Sequence, residues 1–236
     1  MRLPPLHGGV LLRRYKRFLA DVRLDDGQEV TAHCANPGAM TGCATPGWRA
    51  ALTHHPDPKR KLKWSLQLVF GGDDGDVPIL VNTALPNAIA AEGVAAGVVP
   101  GLAGYPQQRA EVRYGDERSR IDLLLSAEGR PDCYVEVKNV TLRVGPGEGA
   151  FPDAVSKRAT KHLRELVRVV EAGDRAALLF LVSRGDVARV RPAEEIDPAY
   201  AAALREAAAA GVEVFAHRVD IAPPELTLGD AVPVLM

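Results

Sequence analysis

The sequence predicts an α+β chain, an all-β first half followed by an α/β second half. Two observations carry this. Up to about residue 84, short apolar runs such as WSLQLVF and PILVNT are broken by Gly, Pro and Asp, the spacing of a small barrel or sandwich. After TALPN the pattern turns to strands alternating with Ala-rich amphipathic segments. The expected units are residues 1–84 and residues 85–236.

The elements follow in order. GGVLLRRYKRFLADVRL and EVTAHCA read as two strands joined by a DDGQ turn, with WRAALTHH, WSLQLVF and PILVNT as further strands. NAIAAEGVAAG follows Pro86 and ends in Gly, a helix signature. QRAEVRYG and SRIDLLLSAE read as a strand pair, and CYVEVKNVTL as the next strand. RVGPGEGAFPD reads as a loop into the helix AVSKRATKHLRELVRVVEAG. A buried strand RAALLFLVSRG, a helix DPAYAAALREAAAAG and a closing strand VEVFAHRV complete the chain.

Bulk properties exclude some classes. The net charge of −1 leaves any basic surface local. Three cysteines without a CxxC pair argue against a zinc site or a disulfide framework and suit a reducing compartment. The start MRLPPLHGGV lacks the apolar core of a signal peptide. No run approaches the ~18 apolar residues of a membrane span. A cytoplasmic protein with no membrane partner is expected.

CYVEVKNVTL carries the chemistry. Strand side chains alternate, so Glu136 and Lys138 share a face with Tyr134 and Val140. An exposed E-x-K pair is commonly no more than a weak surface ion pair. Here the preceding strand brings Asp122 into an apolar run, and a carboxylate there needs a partner. Two converging carboxylates need a cation between them, and Mg²⁺ takes one or two carboxylates plus waters and phosphate. Such a metal polarises a phosphate and activates water; a neighbouring ammonium stabilises the developing charge. Asp122 and Glu136 are thus candidate ligands of Mg²⁺ or Mn²⁺, and Lys138 a candidate catalytic residue. On the following helix Lys157, Arg158 and Lys161 share a face. Lys161 is a candidate phosphate contact, whereas Lys157 and Arg164 suit a solvated face. His162 fits a proton shuttle, a substrate ligand or a helix-surface residue, and Glu111 an outer carboxylate or a structural one.

The residues RYKRFLADV, VTAHCANPGAM, RKLKWSLQL, VNTALPN, YGDERSRIDLLL, CYVEVKNVTL, FPDAVSKRATKHLREL and IDPAYAAAL together resemble the sugar fermentation stimulation protein A family. The resemblance implies an N-terminal OB-like β-barrel and a C-terminal domain similar to the PD-(D/E)xK nucleases, whose motif falls on Asp122, Glu136 and Lys138. It implies DNA binding and a regulatory role in sugar (maltose) metabolism. Two positions depart from the family pattern. Ala159 stands where Gly is usual before Lys161 and His162, and Pro37 stands where Thr is usual between Asn36 and Gly38.

Under that resemblance the barrel's basic stretches become candidate DNA contacts: Arg13, Tyr15 and Arg17 on one face of RRYKRF, and Arg60, Lys61 and Lys63 in KRKLKW. Basic grooves with stacking aromatics suit nucleic acid, while Lys and Arg also protect edge strands. The leading reading is a metal-dependent, nuclease-type DNA-binding protein. A non-catalytic DNA-binding regulator and an RNA-binding or RNA-processing protein are the alternatives. A dimer would suit cutting both strands, though no residue pattern specifies one.

Overall fold

The computed structural model describes residues 1–115 and 119–236; part of YGDERSRIDLLL, residues 116–118, lies outside them. The first half is a barrel of β1 (Leu6–Tyr15), β2 (Leu19–Leu24), β3 (Glu29–Cys34), β4 (Arg49–His54) and β5 (Trp64–Gly71). β1 pairs with β2 and β4, β2 with β3, and β4 with β5, all antiparallel. The parallel β3–β5 pairing closes the ring. Alternation puts Leu11, Val22, Ala32, Leu52 and Leu66 inside, where each is essentially inaccessible. β6 (Val77–Leu80) extends from β5.

The first long run is a hairpin and not the single strand expected. β1 and β2 pair through Tyr15 opposite Leu19, and the turn between them holds Lys16 and Arg17 at φ 49° and 66°. Barrel closure demands that consecutive strands fold back on each other, and left-handed residues make so short a reversal possible. Arg17 therefore leaves the face it was expected to share with Arg13 and Tyr15.

The second half starts with α1 (Pro86–Ala95), where Pro86 fits the first turn because it lacks the N–H that would be unsatisfied there. Then come β7 (Gln107–Tyr114), β8 (Ser119–Ser126), β9 (Cys133–Val140), β10 (Leu142–Gly145), β11 (Gly147–Phe151), α2 (Lys157–Glu171), β12 (Arg175–Val182), β13 (Val187–Pro192), α3 (Pro198–Ala209), β14 (Glu213–Ala222) and β15 (Glu225–Ala231). The main sheet runs β15-β14-β12-β9-β8-β7, with β12 parallel to both neighbours and the β7, β8 and β15 pairings antiparallel.

Two expectations change here. The Gly- and Pro-rich stretch expected as a loop contains β10 and β11, and β11 pairs in parallel with β13. Such short, glycine-rich strands carry no alternating apolar signal, so only their partners reveal them. β14 does not close the chain, because β15 follows and pairs back on it.

α1 and the barrel cover one face of the main sheet. Leu68, Leu80, Ile89, Leu123, Val135 and Leu179 belong to one apolar cluster, so the core runs across residue 84. α2 and α3 cover the other face around Leu163, Leu166, Phe180 and Tyr200. Truncating Leu163 or Leu166, both essentially inaccessible, costs about 2–5 kcal/mol. Among the described residues no helix is long and apolar enough to cross a membrane.

Candidate active site

β8 and β9 pair at Leu125–Cys133, Leu124–Tyr134 and Leu123–Val135, and there the ladder ends. The next pair would set Asp122 opposite Glu136. Instead the Asp122 side chain enters the gap: Oδ2 accepts the Val137 N–H at 2.7 Å and Oδ1 accepts Asn87 Nδ2 at 2.8 Å. Beyond this point β8 continues with β7, and β9 with β12. The main sheet forks at Asp122 and Glu136.

Glu136 shares the α2-facing side of β9 with Tyr134 and Val140, while Val135 and Val137 face α1. It is 2% exposed. Its Oε1 accepts Lys138 Nζ at 2.5 Å and also bonds His162 Nδ1. Arg158 Nε donates to His162 Nε2 at 3.4 Å. That bond makes Nε2 the acceptor, so Nδ1 carries the proton it gives to Glu136. Among the described residues Glu136 Oε2 is buried and has no hydrogen-bond partner.

The two carboxylates shift in opposite directions. Burial pushes Asp122 up, the Glu136 charge pushes it further, and the Val137, Lys138 and Asn87 contacts pull back only in part, leaving it at about 6. Burial also pushes Glu136 up, but the His162 bond and the Lys138 charge outweigh it and hold the group below the usual carboxylate range. Among the described residues the hydroxyls of Tyr114 and Tyr200 are buried without partners. Burial first, then the Glu136 charge, raise both.

α2 is set in place by its caps. Ser156 Oγ accepts the Ala159 N–H at 3.2 Å, and Asp197, which caps α3, accepts the Ser156 N–H at 2.8 Å. The buried stripe of Leu163 and Leu166 turns His162 inward, where it is 5% exposed. A helix-surface role for His162 is thereby replaced by a bond to Glu136.

The fold thus gathers Asp122, Glu136 and Lys138. Lys161 is half-buried on α2, and Glu111 is exposed on β7 with φ 55°. Arg13 and Tyr15 are both turned to Asp21, at 2.7 Å and 3.1 Å, and Arg17 Nε donates to the Pro37 carbonyl. Arg60 and Lys61 are exposed between β4 and β5, while Lys63 is half-buried and donates to the Asp57 carbonyl. The turn at Pro37 is shaped by Asn36, whose Oδ1 accepts the Gly38 N–H at 3.0 Å. A cleft of about 260 Å³ runs from Asn36, Pro37 and Gly38 past Thr83 to Asn139. Sequence reasoning missed Asn87 and the Arg158–His162 relay. Asn87 had a signal, since it closes the VNTALPN stretch. Arg158 shared a basic face with ordinary surface cations.

Fold and site define an OB-barrel protein whose α/β domain holds a buried acid–lysine cluster. Residues 12–81 match the SfsA N-terminal OB domain and residues 84–225 match the sugar fermentation stimulation protein RE domain. The chain belongs to the sugar fermentation stimulation protein (SfsA) family. It is 52% identical to the sugar fermentation stimulation protein homolog of Geobacter sulfurreducens, over 100% of this chain and 99% of that one. It is 55% identical to the homolog of Paramagnetospirillum magneticum, over 95% and 93%. Among solved structures, that of Pyrococcus furiosus SfsA in complex with Ca²⁺ superposes with a TM-score of 0.88 at 26% identity, over 100% of this chain and 98% of that one.

Proposed function

We propose that this protein binds DNA and hydrolyses its phosphodiester bonds at the fork of the sheet, with a divalent cation held by Asp122 and Glu136. The observation that carries the reading is the buried Glu136 carboxylate, with one oxygen committed to Lys138 and His162 and the other left without a partner. Among the described residues no three His, Cys, Asp or Glu side chains form a metal-binding cluster. Two carboxylates suit Mg²⁺ or Mn²⁺, which complete their shells with water and phosphate. The Ca²⁺ of the Pyrococcus furiosus structure is a hard cation of the same donor preference.

When bound, such a cation polarises the phosphate and lowers the pKa of a water. Lys138, 14% exposed at its side chain, offers an ammonium in a poorly solvated place, where it opposes charge developing at phosphorus. His162 fixes the Glu136 carboxylate. Asn87 and the Val137 N–H hold Asp122.

A second reading, a DNA-binding regulator without cleavage, draws on the same contacts, because Lys138 and His162 already compensate Glu136 without a metal. Incubation of labelled DNA and RNA with Mg²⁺ or Mn²⁺, and again with EDTA, separates the two. Metal-dependent cleavage lost in Glu136→Gln supports the enzyme. Binding without cleavage in every condition supports the regulator, and cleavage of RNA alone moves the substrate to RNA.

A further inference from the structure

Arg113 on β7 and Arg120 on β8 stand directly opposite each other across the antiparallel pair. Both are exposed. Opposed residues in such a pair have Cβ atoms only about 4.5–5.5 Å apart, and like charges there are destabilising. Other arginines of this protein are matched: Arg49 with Asp25, Arg143 with Asp73, and Arg205 with Glu194. Among the described residues the guanidinium groups of Arg113 and Arg120 have neither an ion pair nor a side-chain hydrogen bond.

Their position gives the unmatched pair a meaning. They lie on the arm of the fork that leaves β9 beyond Asp122. With Tyr114 and Gly115 they line a cleft of about 540 Å³. Arg120 lies two residues before Asp122 on β8, so strand alternation gives the two side chains the same face. The arm is also braced. Gly115 has φ 67°, and a Cβ there would come within 2.4 Å of Glu165 Oε1 on α2, so the backbone sits tight against the helix.

We propose that Arg113 and Arg120 form a clamp for a phosphodiester backbone, holding the substrate strand beside the fork. The inference rests on the nuclease-type reading above. Guanidinium groups pair bidentately with phosphate oxygens, and two fixed side by side present donors to one phosphate or to successive ones. A bound phosphate also relieves the repulsion between them. The acidic fork by itself repels the backbone, so flanking cations are what a strand needs to reach it.

The test compares the parent with Arg113→Ala/Arg120→Ala, Arg113→Lys/Arg120→Lys and Arg113→Glu. Anisotropy titrations with labelled single-stranded and duplex oligonucleotides run in EDTA over a series of salt concentrations. The double alanine variant should bind about tenfold more weakly near 0.1 M salt, and its log–log salt slope should fall by about 1.4–1.8, the contribution of two phosphate contacts. The double lysine variant should keep the slope. Arg113→Glu places opposite charges across the strands, so it should raise the melting temperature while weakening binding, a combination that structural damage does not produce. A second arm follows the melting temperature with inorganic pyrophosphate, which should stabilise the parent and not the double alanine variant. Unchanged affinity and slope in the double alanine variant, with a parent that binds, overturns the clamp. A parent that binds neither DNA nor RNA overturns the nuclease-type reading and the clamp with it, whereas pyrophosphate stabilisation that does not depend on the two arginines, in a parent that binds, overturns the clamp alone.

Discussion

The carboxylate of Asp122 accepts the backbone N–H of Val137 at 2.7 Å, taking a place that a strand ladder would otherwise fill. The side chain is therefore both part of the sheet and part of the site. It holds open the gap between β8 and β9 while satisfying the backbone group the gap exposes. Replacing it by alanine leaves that N–H unsatisfied, at about 1–3 kcal/mol, and frees the half-buried Asn87 amide. Urea unfolding of Asp122→Ala should show a loss of this size. Asp122→Asn, whose amide oxygen still accepts from Val137, should not.

Asp122 also sets a pH dependence. Its pKa lies at about 6 in the folded chain against an ordinary 3.8, so the folded state holds this proton more tightly than the unfolded state. Stability without metal should therefore fall as pH rises through this window, from about 4 to about 6, by up to about 3 kcal/mol, and be flat in this contribution on either side. Asp122→Asn removes the effect. In EDTA it should be more stable than the parent at pH 7.5 and lose that advantage by pH 4. Parallel urea curves at all pH values would sink the assignment.

Removing the partner of Glu136 should be costly. His162→Ala leaves the buried carboxylate with Lys138 alone, and losing a hydrogen bond to a buried charged group costs about 1–3 kcal/mol. The carboxylate also loses the bond that orients it, so Mn²⁺ affinity measured by calorimetry should drop about 10–100-fold. His162→Asn, whose amide can donate from near the Nδ1 position, should recover part of both losses. Parental Mn²⁺ affinity in His162→Ala would mean that His162 does not position a metal ligand.

Lys138→Ala should abolish cleavage and leave DNA binding nearly intact. The lost transition-state stabilisation is on the order of 3–4 kcal/mol, read in single-turnover reactions. Filter binding on the same preparations serves as the control. Cleavage at the parental rate would assign the activity to another site.

The loop before β5 should contribute a salt-dependent part of DNA binding. Arg60 and Lys61 are exposed there and Lys63 is half-buried. Changing all three to Ala should weaken binding to every sequence tested and flatten the salt dependence. Equal affinity for parent and variant at two salt concentrations removes this loop from the interface.

Much of this was readable along the chain, because alternation is a local property. Glu136 and Lys138 had to share a face wherever CYVEVKNVTL formed a strand, and the apolar SRIDLLL run predicted a buried strand around Asp122. The Leu163 and Leu166 stripe likewise predicted the inner face of α2. Other features depend on residues distant in sequence. Arg17 lies in a left-handed turn because closing the barrel forces β1 back on β2. β10, β11 and β13 exist as strands only through one another. The inward turn of His162, the orphaned Glu136 oxygen and the match of Asp122 to the Val137 N–H arise where β8 parts from β9. A fork in a sheet leaves no periodic mark in sequence: side-chain pattern sets which face a residue takes, but only the packed neighbours decide where a ladder stops.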